Sequence, residues 1–411
     1  MRAVANSPHE SQRRVCIVVT NRASYARIKT VIKAVEMDPR LDLQLVLSAS
    51  MLLHRFGKAE DVVRADGFTP TATIHCVVEG ETPATMAKTT GLTIMELAPL
   101  FERLQPDVVL SVADRFETLA TAVSATYLNI PLAHTQGGEV SGSIDESVRH
   151  AITKMAHLHF PATQRAADYV FRMGENPENI HLSGCPSIDA LMELDLRPLD
   201  LEFMKRFGVG EAIDTSKPYL LVMQHSVTTE YGNAAEQIEE TLKAVRDIGL
   251  PAIWIWPNVD AGSDAVSKCL RQFREAHPEA PIHFFTNLPV EDFARVLKNA
   301  ACIVGNSSAG LRESSFLGTP AVNVGIRQGG RERAGNVIDV GHDCQSIGAA
   351  IRRQIDHGPY APSTLFGDGR AAERIVEVLA TKELSVQKRL NYVEADQDPA
   401  DRKMLEPDIP R

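Results

Sequence analysis

The run VCIVVTNRASY, residues 15–25, places five apolar residues in a row and then Thr20, Asn21 and Arg22 at the start of a helical pattern. A strand that is apolar on both faces must be covered on both, as in a parallel sheet flanked by helices. The same unit recurs at LDLQLVL (41–47), DVVLSV (107–112) and PLAHT (131–135), each followed by a helical stretch. A second series follows at YLLVM (219–223), AIWIW (252–256), IHFF (282–285), CIVG (302–305) and AVNV (321–324). The pattern predicts an α/β protein with two tandem, Rossmann-like, doubly wound parallel-sheet domains.

Working outward, the polar, proline-containing stretch 193–218 reads as a linker region with one helix, dividing a first domain (14–192) from a second (219–365). A C-terminal helical segment occupies 366–383, with a disordered leader before it all at 1–13 and a mobile tail at 384–411. The length of 411 residues fits two domains. No apolar run approaches the roughly 18–20 residues of a membrane span, and the leader lacks the apolar core of a secretory signal, so a cytoplasmic location is expected. With 43 basic against 53 acidic residues the net charge is −10, which disfavours nucleic acid and anionic membrane as partners. Six cysteines without C-x-x-C spacing argue against a zinc knuckle, a redox pair or a disulfide framework.

In open α/β sheets ligands bind beyond the carboxyl ends of strands, so the residues just after each strand matter most. Arg22, with a helix start near Ser24, suits a pyrophosphate through its charge and free N–H groups. Asp114 beside Arg115, at the mouth of DVVLSV, is a carboxylate whose pKa partial burial would raise toward neutrality. The densest segment, 134–150, puts paired glycines, Gln136, Glu139, Asp145, Arg149 and His150 between a strand and a helix; the glycines would let the backbone approach a ligand. His225 ends another strand, where it would protonate or clamp a phosphate leaving group. Asn258 lies in a turn cluster, PNVDAGS (257–263), that by itself marks only a loop before a helix. The strongest phosphate signal is GNSSAG (305–310), whose Ser307 and Ser308 sit at a helix start, with Glu313 one turn on as a ribose acceptor and Arg327 in the next loop.

These strings, together with GGEVSGSIDESVRHAITKMAH (137–157), GCPSIDAL (184–191), GTPAVNVGIRQGGRERAGNV (318–337) and FGDGRAAERI (366–375), resemble the hydrolysing UDP-N-acetylglucosamine 2-epimerases of sialic-acid biosynthesis over about residues 14–380. The resemblance implies a GT-B-like fold with the active site in the cleft between domains and a final helix packing back on the first. It also implies conversion of UDP-N-acetylglucosamine and water to N-acetylmannosamine and UDP through 2-acetamidoglucal, without a metal or cofactor, in a homodimer or homotetramer. On this reading Asp114, Glu139, Asp145 and His225 are catalytic, while Arg22, Ser24, Arg115, Gln136, Arg149, Asn258, Ser307, Ser308, Glu313 and Arg327 bind substrate. Many members carry a glutamate where this chain has Gln136, which leaves Glu139 or Asp145 as the base, and a glycine where it has Ala113. UDP-N,N'-diacetylbacillosamine, a GDP-linked analogue, or a GT-B glycosyltransferase reaction needing an acceptor are the alternatives.

Overall fold

The computed structural model describes residues 12–54, 58–258 and 260–391, so the leader to residue 11 and the tail from 392 lie outside the described residues. The first lobe carries β1 (Arg13–Val19), β2 (Leu41–Ser48), β3 (Ala72–Ile74), β4 (Val108–Val112), β5 (Leu132–Thr135) and β6 (Leu158–Phe160). The second carries β7 (Leu220–Met223), β8 (Ala252–Ile255), β9 (Ile282–Phe285), β10 (Cys302–Gly305), β11 (Ala321–Val324) and β12 (Val337–Val340). The sheets run β3-β2-β1-β4-β5-β6 and β12-β11-β10-β7-β8-β9, and every ladder within them is parallel.

Alternation along β1 shows why an unbroken apolar run was required. Val15, Ile17 and Val19 pack with Tyr25, Ile28 and Ile32 of the helix Arg22–Met37, whereas Cys16 and Val18 pack with Leu97 and Phe101 on the opposite face. Burying such side chains contributes about 1.5–3 kcal/mol each. β3, β6 and β12 were not anticipated, being short, and β12 is only half-buried at a sheet edge. Both sheets have the same strand order counted from their first strand, and in each the order reverses beside that strand, between β1 and β4 and between β7 and β10. Loops leaving these strands therefore open onto the crevices where doubly wound sheets bind ligands.

The segment 193–218 is packed rather than loose: around its helix Leu201–Arg206, Leu199, Met204 and Ile213 are buried in a core shared with Leu221 and Ile253. The helix Ala371–Thr381 seats Ala372, Ile375, Val376 and Leu379 in the cluster built on β1.

Residues 384–391, expected as part of a mobile tail, are pinned to the first lobe. His157 Nε2 meets the Val386 carbonyl at 2.9 Å, the Asn391 N–H donates to Gly174 at 2.9 Å, and Lys388 bonds both the Ala156 carbonyl and Glu175. Glu175 is buried; burial opposes its charge, but bonds from His159, Lys154 and Lys388 prevail and its pKa falls to about 2. A carboxyl lowered from an unfolded value of about 4.3 contributes stability that is present above that pH and lost as pH falls toward 2. Denaturant titrations are therefore expected to show wild type losing more stability than Glu175→Gln over that window.

Candidate active site

Two adjoining cavities form one cleft between the lobes, sharing Ala23, Arg27, His225, Asn258, Ser307 and Ser308. One end is apolar, with Met223, Ile255, Leu288, Pro289 and Phe293 beside Arg22 and Glu313. The other is charged, lined by Asp114, Arg115, Asp145, Arg327, Gln328 and Arg331. All four loops at the two reversal points contribute, since Ala23 follows β1, Asp114 follows β4, His225 follows β7 and Ser307 follows β10.

At the charged end the first carboxylate departs from expectation. Asp114 is buried, which would raise its pKa, but the guanidinium groups of Arg149, Arg27 and Arg331 outweigh burial and hold the carboxyl below its ordinary range. Arg149 Nε donates at 3.1 Å and its Nη2 makes a second, closer bond, while Arg331 stands at 3.7 Å and Arg27 at 3.9 Å. The geometry rests on Ala113, whose backbone is left-handed (φ 59), an arrangement that costs a Cβ-bearing residue about 1–2 kcal/mol and explains why glycine is usual there. His134, fully buried with its pKa lowered to about 4 by burial, holds the Ala113 carbonyl through Nε2 at 2.7 Å.

Asp145 behaves in the opposite way. It is half-buried at the start of the helix Asp145–Met155, and burial together with the charge of Asp114 raises its pKa against the opposing pull of Arg327. Among the carboxyls lining the cleft, it is the one whose neighbours favour exchange of a proton nearer neutrality.

His225 is buried, and burial with the charge of Arg327 lowers its pKa to about 3, so the ring is neutral. Its Nδ1 accepts the Asn258 N–H at 3.1 Å, which leaves the proton on Nε2. In this state the ring has one N–H, on Nε2, to donate and no proton to give up as an acid. Asn306 fixes the main chain here, accepting the His225 N–H and donating to its carbonyl, both at 2.8 Å.

Around the serine pair the backbone forms a 3-10 turn, Ser308–Gly310, before a short helix, Glu313–Leu317, so Glu313 opens that helix instead of lying one turn inside it. Its Oε2 is buried without a hydrogen-bond partner in the apolar cavity, a vacancy suited to a hydroxyl donor. Ser308 Oγ accepts from Arg27 at 2.7 Å. Arg22, whose pKa burial lowers to about 10, donates to the Thr286 carbonyl at 2.7 Å.

Four of the expected site residues do not line the cleft. Ser24 is buried and caps nothing; Asn21 is the helix cap, accepting the Ser24 N–H at 2.9 Å. Gln136, at φ 61, turns inward to Cys185. Arg149 is fully buried, bonded to Asp114, Glu146, Ser141 and the Glu139 carbonyl, and positions those groups instead of binding a ligand. The Glu139 carboxylate is buried, which would raise its pKa, but its Oε2 pairs with Arg312 and, at 3.1 Å, Arg331, which lower it, while Oε1 is buried without a partner. The paired glycines also serve packing, since a side chain at Gly138 would meet the Ala166 carbonyl oxygen at 2.1 Å. Arg115 does line the cleft, but its guanidinium pairs with Glu117 at 3.1 Å and with Asp260 at 2.7 Å.

Arg27, Arg331 and Gln328 were missed. Arg27 lies one helical turn beyond Ala23 on the same face, and Arg331 follows Arg327 within RQGGR, so each was within reach of spacing arguments. Among the described residues no group of three or more His, Cys, Asp and Glu is arranged to hold a metal ion, and no helix is long and apolar enough to cross a membrane.

The lobes are joined on both sides of the cleft. By the charged end the Gly142 N–H donates to the Arg327 carbonyl at 3.1 Å, and a side chain at Gly142 would meet the Ile326 carbonyl oxygen at 1.9 Å. By the apolar end Lys29 bridges Asp66 at 2.8 Å to Glu291 of the second lobe at 2.5 Å.

The chain matches the family model described as UDP-N-acetylglucosamine 2-epimerase over residues 33–380. It is 32% identical over 375 residues to the UDP-N,N'-diacetylbacillosamine 2-epimerase (hydrolyzing) of Legionella pneumophila, covering 91% of this chain and 97% of that protein. It is 30% identical over 383 residues to the UDP-N-acetylglucosamine 2-epimerase of Neisseria meningitidis, covering 92% and 98%. In fold it is similar to MnaA from S. aureus in a co-structure with UDP, with a TM-score of 0.73 at 20% identity over 90% of this chain and 96% of the other. The UDP-GlcNAc 2-epimerase of Methanocaldococcus jannaschii, in complex with UDP-GlcNAc and UDP, gives a TM-score of 0.72 at 18% identity over 89% and 99%. An α/β chain of two parallel six-stranded sheets, GT-B-like in the pairing of its lobes and matched along most of its length, this protein belongs to the UDP-N-acetylglucosamine 2-epimerase family.

Proposed function

We propose that the protein is a hydrolysing UDP-N-acetylglucosamine 2-epimerase. The observation that carries this reading is Asp145, a carboxyl of raised pKa, lining the same chamber as neutral His225 and the serine pair at 307 and 308. With the diphosphate held by Ser307, Ser308, Arg27 and the His225 Nε2–H, and a ribose hydroxyl donating to Glu313, the sugar lies against Asp114 and Asp145.

Asp145 takes the C2 proton, the C2–H electron pair becomes the C1–C2 double bond, and the C1–O pair leaves with UDP. Positive charge aimed at the departing diphosphate stabilises this step. Water then adds its oxygen to C1 and a proton enters C2 from the other face, giving N-acetylmannosamine. Asp114 stays ionised and orders Arg27 and Arg331 about the sugar, while Glu139 holds Arg331 in place. The protein works in the cytoplasm as a homodimer or homotetramer, which light scattering on the purified chain tests.

The identity to the Legionella protein supports a second reading, the same reaction on UDP-N,N'-diacetylbacillosamine. The test is to incubate the protein in deuterium oxide, without acceptor, with either nucleotide sugar or the GDP analogue of the first. Proton NMR is expected to show free UDP and a 2-epimerised free sugar carrying deuterium at C2. Retention of hydrogen at C2, or UDP release only when an acceptor is added, overturns the proposal.

A further inference from the structure

The turn 260–263 of the second lobe is held from the first lobe at two points. Arg115, following β4, donates to Asp260 Oδ1 at 2.7 Å, and this pair is buried. Glu81, in the loop between β3 and the helix Pro83–Leu104, accepts from the Ser263 hydroxyl through its carboxylate and from the Gly262 N–H through its carbonyl at 3.2 Å. The Asp260 N–H donates to the Asn258 carbonyl at 3.1 Å and the Ser263 N–H to the Asp260 carbonyl at 3.0 Å, which ties Asn258, Asp260 and Ser263 to one another. The Asn258 N–H is the donor that occupies His225 Nδ1.

We propose that Asp260 and Glu81 are positioning residues that couple lobe closure to the tautomer of His225. When the first lobe grips the turn, the Asn258 N–H is pressed on Nδ1 and the ring presents Nε2–H to the cleft. When the lobes part, Asn258 withdraws and either nitrogen carries the proton. A histidine with its proton on Nδ1 turns a lone pair toward a diphosphate and repels it, so the clamp exists only in the closed state. Asp260 suits the task because its carboxylate lies between Arg115 of one lobe and Arg327 of the other, the latter at 3.8 Å. Both arginines hold it ionised against burial.

The coupling rests on the diphosphate-clamping role given to His225, and its test separates the two. Histidine labelled with nitrogen-15 is followed by NMR in the UDP-bound protein for wild type, Asp260→Asn, Asp260→Glu and Glu81→Gln. In wild type His225 is expected to show an unprotonated Nδ1 and a protonated Nε2. In Asp260→Asn and Glu81→Gln the ring is expected to become a tautomer mixture, with kcat down by about 10²-fold, the scale of a misplaced catalytic group, and KM raised as the diphosphate clamp weakens. Asp260→Glu, which keeps the carboxylate, recovers most of both. Glu81 is only half-buried, so its variant keeps the test open should Asp260→Asn fail to fold. The coupling is overturned if both variants keep the wild-type tautomer, or if wild type lacks it. Absence of turnover in wild type would count against the enzymatic reading alone, because the tautomer is read with UDP and no reaction.

Discussion

Asp145→Asn is expected to lower kcat by about 10²- to 10⁴-fold, the range that a positioned acid or base contributes, while UDP binds as to wild type. The substitution is nearly isosteric and Asp145 sits at a helix start facing the cleft, so packing is preserved. The pH profile sharpens the expectation. Burial and the neighbouring Asp114 raise the Asp145 pKa, so the ionised base is lost as pH falls through a value above the ordinary carboxylate figure of about 3.9. Wild-type kcat should therefore drop on the acid side along a limb that Asp145→Asn lacks. Steady-state rates across pH and calorimetric titration with UDP check both parts; an unchanged acid limb in the variant removes Asp145 from the chemistry.

Arg149→Met is expected to cost about 3–5 kcal/mol of stability, because removing one partner of a buried ion pair leaves the other charge without compensation. Arg149 is fully buried and its guanidinium bonds Asp114, Glu146, Ser141 and the Glu139 carbonyl, so it ties the loop after β4 to the loop after β5. Arg27 and Arg331 remain near Asp114 in the variant, which puts the loss at the lower end of that range. Glu146→Gln is the control: that carboxylate is partly exposed, its pairs with Arg149 and His150 are worth about 0.2–0.5 kcal/mol each, and the glutamine oxygen still accepts the Ser141 N–H. Thermal and urea unfolding of the two variants beside wild type measure the difference. Equal losses would place Arg149 outside any supporting network.

The parts of the fold that could be read from the sequence are those where a single strand must satisfy a strong local condition. VCIVV and DVVLSV have no polar face to offer water, so they had to be central strands, and β1 and β4 are neighbours at the reversal point. LHF at β6 and ATI at β3 are too short for periodicity and take their conformation from the neighbouring strand. The site divides in the same way. That Asp114, Asp145, His225 and Ser307 share one cleft followed from their places after strands. The sign of the Asp114 shift did not, because it depends on Arg149, Arg27 and Arg331, brought together only by the tertiary fold. Ser24 is drawn away from the cleft for a local reason, since the helix starts at Arg22 with Asn21 as its cap, which puts Ser24 in the first turn among the buried residues. Gln136 looked like a ligand because of its neighbours in the string, and a left-handed backbone turns it away.

The two ends of the seam between the lobes are fastened by different forces. Near the charged end it is closed by peptide groups, Gly142 against Ile326 and Arg327, in contact too tight to admit a methyl group, and by the buried pair Arg115–Asp260. Near the apolar cavity it is held by side chains, Arg22 on the Thr286 carbonyl and the pair Lys29–Glu291, the latter side chain being 41% exposed. Dissolved ions weaken exposed pairs and barely touch a contact between backbones. Rising ionic strength therefore loosens the apolar end before the charged end gives way, and one end of the molecule becomes a hinge while the other remains a hasp.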